Sequence, residues 1–228
     1  MGMKITCVGD SFTLGGELPG TEEREPSPLA WPAQLGTLLS VDVSNLSISG
    51  AANSMIIKRA IKYTFEQPSD IMIVAWSNPV RSEIVDNAGT FAYWPGRNVK
   101  LLTNEDQINF IKAITVHETE TLYRWAHRRW LRDIILLQNF FKSQNQRYIM
   151  IQSHESQFYN RKWIVESDLH CDLSEYIDTE FLLGWPLNGI SEWIGDDPRM
   201  PHGHPTELGH RRVAEKLNEY IRNLGWLP

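Results

Sequence analysis

The chain is poor in the features that would settle its class at once. Cysteine occurs only twice in 228 residues, at Cys7 and Cys171. That argues against a disulfide framework or a cysteine-based zinc cluster, although a single bridge between the two stays open. No apolar run approaches membrane-spanning length. The first one, Ile5 to Val8, is too short for a signal sequence and is cut off by Asp10. Basic residues are outnumbered, 22 Lys and Arg against 28 Asp and Glu, for a formal charge of −6, so there is no global positive field for nucleic acid. The sequence also lacks a Gly-x-Ser-x-Gly elbow, a Walker phosphate loop, a dinucleotide glycine fingerprint and any internal repeat. Gly9-Asp10-Ser11…Gly15-Gly16 has glycines for a phosphate cradle but no lysine. These exclusions point to a soluble, cytoplasmic protein with no nucleic-acid or membrane partner; oligomeric state is left open.

What is present is an ordinary globular composition, 42% apolar and 22% charged, with an unusual nine tryptophans. Short apolar runs end abruptly in small polar residues. Ile5-Thr6-Cys7-Val8 ends in Gly9-Asp10-Ser11, and Val41 to Leu46 runs into Ser47-Ile48-Ser49-Gly50-Ala51. Ile71 to Trp76 ends in Ser77-Asn78-Pro79, and Arg147 to Gln152 in Ser153-His154-Glu155. The third run is continuous, as expected for a central parallel strand covered on both faces. Between the runs, apolar residues recur at helical spacing over 30–39, 55–65 and 105–142, and a last amphipathic helix fills 205–224 before Gly225. Residues 17–28, acidic and proline-rich, read as a surface loop, and 81–103 read as irregular. His127-Arg128-Arg129 with Arg132 reads as a solvated helix face. Alternating strands and helices predict a three-layer α/β/α sandwich with a central, mainly parallel sheet, as one domain over 1–228 with variable segments at about 81–130 and 157–200.

In such sheets ligands sit at the carboxyl ends of the strands, where Ser11, Gly50, Asn78 and the Ser153-His154 region would line up. Serine needs a positioned base to act as a nucleophile, and histidine has the right pKa for that at neutral pH. Pro201-His202-Gly203-His204-Pro205, just before the last helix, offers one. A tetrahedral oxyanion needs donors, for which a backbone N–H in the Gly50 loop and the Asn78 amide are suited. Taken singly, Ser11 could cap a turn, Gly50 could serve only its backbone angles, and Asn78 could initiate a turn. Asp10 reads as a structural hydrogen-bonding residue beneath Ser11, and His154 as a rim residue.

Together these blocks resemble the SGNH, or GDSL-type, serine hydrolases. Gly9-Asp10-Ser11-Phe12 looks like the nucleophile block, Ser49-Gly50-Ala51 the second, and Trp76-Ser77-Asn78-Pro79 the third, while His204-Pro205 looks like the block that carries the base. The resemblance implies an esterase or deacylase with Ser11 as nucleophile and His204 as base. Its oxyanion hole would be built from the N–H groups of Ser11 and Gly50 and the Asn78 amide, with no metal or organic cofactor. It further suggests a small-molecule or carbohydrate ester, such as an acetyl ester. The tryptophans Trp31, Trp76, Trp94, Trp163, Trp185 and Trp193 would suit a sugar. The blocks are also similar to phage-encoded versions, which leaves association with a virion open.

Two departures stand out. Trp76 and Pro79 replace the usual glycine and aspartate of the third block. The family's aspartate two or three residues before the histidine is missing, since Pro201 and His202 occupy those places. Asp197 is the nearest substitute on that loop, next to Asp196. The alternatives are a Ser–His dyad or a catalytically silent binding or structural protein. His202-x-His204, with His210 and Asp196 or Asp197, could also be read as a metal site, but the flanking prolines disfavour the extended strand that would aim both rings at one ion.

Overall fold

The computed structural model describes residues 2–20, 25–86, 89–93, 105, 108–109, 120–154 and 173–227. Four parallel strands form the central sheet: β1 (Lys4–Val8), β2 (Asp42–Asn45), β3 (Ile71–Trp76) and β6 (Arg147–Gln152), in the order β2-β1-β3-β6. The register pairs Ile5 with Val43 on one side and with Ile71 on the other, and Ile73 with Ile149. The helices are α1 (Ser11–Leu14), α2 (Trp31–Leu39), α3 (Asn53–Glu66), α4 (Glu120–Ser143), α5 (Ile190–Ile194) and α6 (Glu207–Asn223).

Period-2 alternation sends successive strand residues to opposite faces, and both faces are covered. Ile5, Cys7, Ile73, Ala75, Ile149 and Ile151 pack with Trp31 and Leu35 of α2, Ile194 of α5, and Val213 and Leu217 of α6. On the other face, Val8, Met72, Val74, Trp76 and Met150 pack with Ile56 and Ala60 of α3 and with Trp130, Ile134 and Phe141 of α4. The expected three layers are therefore present. The Cys7 thiol is free and buried, and burial pushes its pKa up, so it acts as a small core residue; Cys171 lies outside the described residues. Among the described residues no helix is long and apolar enough to cross a membrane.

Three sequence expectations need correction. Part of 81–103 is not irregular: β4 (Ser82–Asp86) and β5 (Gly89–Tyr93) form an antiparallel pair, with Ser82 opposite Tyr93. Its own apolar pattern is weak because it lies outside the main sheet; Glu83 is tied to Lys58 of α3 at 2.6 Å. The basic segment on α4 is only partly a solvated face. Arg128 is exposed and Arg132 pairs with Asp133, but His127 is buried, and Arg129 donates to Pro79 O at 2.8 Å and Arg81 O at 3.1 Å. The segment from residue 17 is not simply a surface loop, since Leu18 and Ser27 are buried. Of the expected helix over 105–142, α4 covers 120–142, while 106–107 and 110–119 lie outside the described residues, as does 94–103 of the segment read as irregular.

The strand order creates a switch point. The chain leaves β1 toward β2 on one side and leaves β3 toward β6 on the other, which opens a crevice between the carboxyl ends of β1 and β3. Ser11 follows one of those ends and Asn78 the other.

Candidate active site

β1 ends at Val8, and Gly9-Asp10 turns the chain into α1, whose first residue is Ser11. A Cβ on Gly9 would collide with the Thr13 side chain and come within 3.0 Å of Ala75 Cβ, so only glycine fits between strand and turn. Asp10 caps α1: its Oδ1 accepts the Phe12 N–H at 3.1 Å. Its Oδ2 accepts from Ser77 Oγ at 2.9 Å, Arg81 Nη1 at 3.0 Å and His154 Nε2 at 2.7 Å. Burial alone would raise the Asp10 pKa. The charges and hydrogen bonds of His154, Arg81 and Ser77 outweigh it and hold the carboxyl far below the usual range. Asp10 is thus a buried anion that links three segments beneath Ser11.

Two other strand ends are locked to this one. Ile48 N–H donates to Gly9 O at 3.1 Å, which lays the Gly50 loop along the end of β1. Gly50 itself has φ +72°, a left-handed conformation that glycine adopts without penalty. Asn53, the first residue of α3, bridges to the end of β3: its Oδ1 accepts the Ser77 N–H at 2.8 Å and its Nδ2 donates to Ser77 O at 3.1 Å. Asn78 Oδ1 accepts the Val80 N–H at 3.1 Å, which leaves the NH2 side of that amide as the outward donor. Arg129 clamps the same turn from α4 through its bonds to Pro79 O and Arg81 O. Neither Asn53 nor Arg129 carries a sequence signal for this task.

His204 comes from a tight reversal. Gly203 has φ +86°, its N–H donates to Met200 O at 2.8 Å, and Met200 N–H returns to His204 O at 2.9 Å. Thr206 then caps α6. A Cβ placed on Gly16 would lie 3.0 Å from His204 Nε2 and 3.3 Å from Ser11 Cβ, so glycine there lets Ser11 and the His204 imidazole approach the same point. The Phe12 ring packs against two histidines, with centroids 4.4 Å from His154 and 5.4 Å from His204.

The structure does not bring Asp197 to His204. Asp197 Oδ1 pairs with Arg212 Nη2 of α6 at 3.0 Å, which fastens the 195–199 loop to that helix. The carboxylate beside the imidazole is Glu17, whose Oε2 is 2.6 Å from His204 Nδ1, 187 residues away in sequence. Both Glu17 oxygens also accept the His202 N–H at 3.1 Å. Partial burial would raise the Glu17 pKa, but the bonds to His204 and His202 outweigh it and lower it. Among the described residues no cluster of three or more His, Cys, Asp or Glu side chains is placed to hold a metal ion. Trp31 and Trp76 are core residues, not exposed platforms, and Trp94 and Trp163 lie outside the described residues.

At the start of α6, His210 is fully buried and its Nδ1 accepts the Trp31 N–H at 3.1 Å. Burial, and then the proximity of His204, depress its pKa to about 4. An unfolded histidine titrates near 6.5, so between these values the unfolded state binds more protons and stability rises with pH. The contribution is fully present above about pH 6.5, and roughly 3 kcal/mol of it is lost by pH 4. Urea midpoints measured across that window should fall accordingly. In His210→Asn, whose amide oxygen can still accept the Trp31 N–H, the slope should flatten; an unchanged slope would reject the assignment.

No protein-family model matches the sequence, and no curated protein matches it either. Solved structures do. A crystal structure of TesA superposes with a TM-score of 0.60 at 13% identity, over 97% of this chain and 99% of that one. A member of the lipolytic protein G-D-S-L family from Veillonella parvula DSM 2008 gives 0.52 at 15% identity, over 95% and 97% of the two chains. A carbohydrate esterase family 2 enzyme with a carbohydrate-binding domain, from Corynascus thermopiles, gives 0.56 at 13% identity, over 98% of this chain and 67% of that one. At such identities the likeness is one of fold: this chain has the α/β/α fold of those proteins.

Proposed function

We propose that this chain is a serine hydrolase acting on ester bonds, with Ser11 as nucleophile and His204 as general base. The observation that carries the reading is the position of Gly16, where a methyl group would touch both Ser11 Cβ and His204 Nε2. His154, the other histidine beside Phe12, has its Nε2 committed to Asp10. His204 is therefore the base and His154 a support for the Asp10 network.

Ser11 Oγ attacks the ester carbonyl carbon while its proton passes to His204 Nε2. The carbonyl oxygen, now negative, is met by the N–H groups of Ser11 and Gly50 and by the Asn78 amide. Collapse expels the alcohol, which takes the proton back from His204 Nε2. A water then repeats the sequence on the acyl-enzyme, losing its proton to His204 and releasing the acid. An acetyl ester on a carbohydrate is a substrate class supported by the fold-likeness to a carbohydrate esterase. The buried Trp31 and Trp76 add nothing to it. The missing acid before His204 favours a silent protein, whereas a carboxylate from Glu17 beside the imidazole supports the hydrolase reading.

A fluorophosphonate probe tests the assignment. Stoichiometric labelling on the peptide containing Ser11, together with turnover of short-chain aryl esters, is expected; neither labelling nor turnover would reject it. Asn78→Ala should lower kcat by roughly 10²–10³-fold, the usual cost of one oxyanion donor, with KM little changed. Steady-state kinetics on the same esters would show it, and an unaltered kcat would remove Asn78 from the oxyanion site.

A further inference from the structure

We infer that Glu17 is the acid of the triad, a positioning residue that orients the base from the nucleophile's own loop. The inference rests on the Ser11–His204 reading above and adds the group that reading leaves unnamed. Gly15, with φ +89°, reverses the chain after α1, and Gly16 N–H closes the turn onto Ser11 O at 2.8 Å. The reversal carries the next residue, Glu17, back past Ser11 to the imidazole. Glu17 itself has φ +67°, a left-handed conformation that disfavours side chains larger than glycine, so the fold accepts local strain to place this carboxylate.

The chemistry follows from the two ring nitrogens. A carboxylate 2.6 Å from Nδ1 fixes the hydrogen there and leaves the Nε2 lone pair facing Ser11. When Nε2 takes the Ser11 proton, the imidazolium forms against a negative charge already in place, and Glu17 stays ionised throughout. The His202 N–H, held by both oxygens of the same carboxylate, keeps it from swinging away. Asp197 cannot serve, because Arg212 holds it at 3.0 Å. The acid of this site has thus moved from the base's loop to the nucleophile's, so one short segment carries both the nucleophile and the reference that orients the base.

Glu17→Gln is the decisive variant. Its single carbonyl oxygen would go to the His202 N–H and its NH2 to Nδ1, which selects the wrong tautomer. A loss of kcat of roughly 10²–10⁴-fold is expected, with KM little changed and fluorophosphonate labelling slowed in parallel. Asp197→Ala should keep wild-type kcat. A far-downfield Nδ1–H proton resonance from His204 should appear in the wild-type NMR spectrum and vanish in Glu17→Gln, which a merely structural role would not produce. A labelled, active wild type with equal kcat in Glu17→Gln overturns the Glu17 assignment alone, whereas an unlabelled, inactive wild type overturns the hydrolase reading itself. If Glu17→Gln does not fold, the wild-type spectrum decides: the His204 resonance supports the assignment, and its absence overturns it.

Discussion

Ser11→Ala should lower kcat for a short-chain aryl ester by about 10⁶-fold, the size of effect seen when a hydrolytic nucleophile is removed. The magnitude follows from what is lost. On the proposed mechanism, without Oγ there is no acyl-enzyme, and the oxyanion donors can act only on direct attack by water. His204→Ala should cost about as much, because members of one catalytic unit are not additive; the double variant should be hardly worse than either single one. His154→Ala should lose far less turnover. Ser11 makes no contribution to the Asp10 bonds, so Ser11→Ala should melt close to wild type. Steady-state kinetics with a melting curve for each variant checks this pattern. A Ser11→Ala protein that keeps a tenth or so of wild-type kcat would end the covalent mechanism.

Asp10→Ala should lose about 3–5 kcal/mol of folding stability at neutral pH, the usual cost of breaking an ion pair built on a buried carboxylate. Asp10 is fully buried, and the Arg81 side chain facing it is only 14% exposed. Removing the carboxylate takes away the acceptor that Arg81, His154 and Ser77 share, and α1 loses its cap. Against a typical total of 5–15 kcal/mol, that loss should move the urea midpoint far enough to measure without ambiguity. Acid should act on the same group. The folded Asp10 pKa is depressed, so its contribution is present above the unfolded carboxylate pKa and is lost as pH falls below it. Asp10→Asn keeps the cap to the Phe12 N–H while removing the charge, and should lose that acid-side dependence. A shift below about 1 kcal/mol in Asp10→Ala would mean that the network contributes little.

The sheet was legible because its signal is local. Ile71 to Trp76 is apolar at every position, and a strand buried on both faces needs no more than that to be recognised. Polar residues directly after each strand then mark the carboxyl edge, which is how Ser11, Gly50 and Asn78 could be nominated. The β4–β5 pair is not legible in the sequence because its residues pair only with each other and carry no strong alternation. Arg129 reads as solvated in the sequence because nothing in a helix pattern says that one guanidinium will bend toward a loop some fifty residues away.

The sequence alone determined the layers, the parallel strands and a serine at the end of the first one, since periodicity and glycine turns act over a few residues. The tertiary structure decided the partner of His204. Among the acids that precede His204 on its own loop Asp197 is the nearest, but a hydrogen bond is set by distance in space, and Arg212 claims that carboxylate. Two reversals, at Gly15 and Gly203, instead bring Glu17 against His204 across 187 positions. No local pattern encodes that meeting, because it exists only once both turns have closed around the edge of the folded sheet.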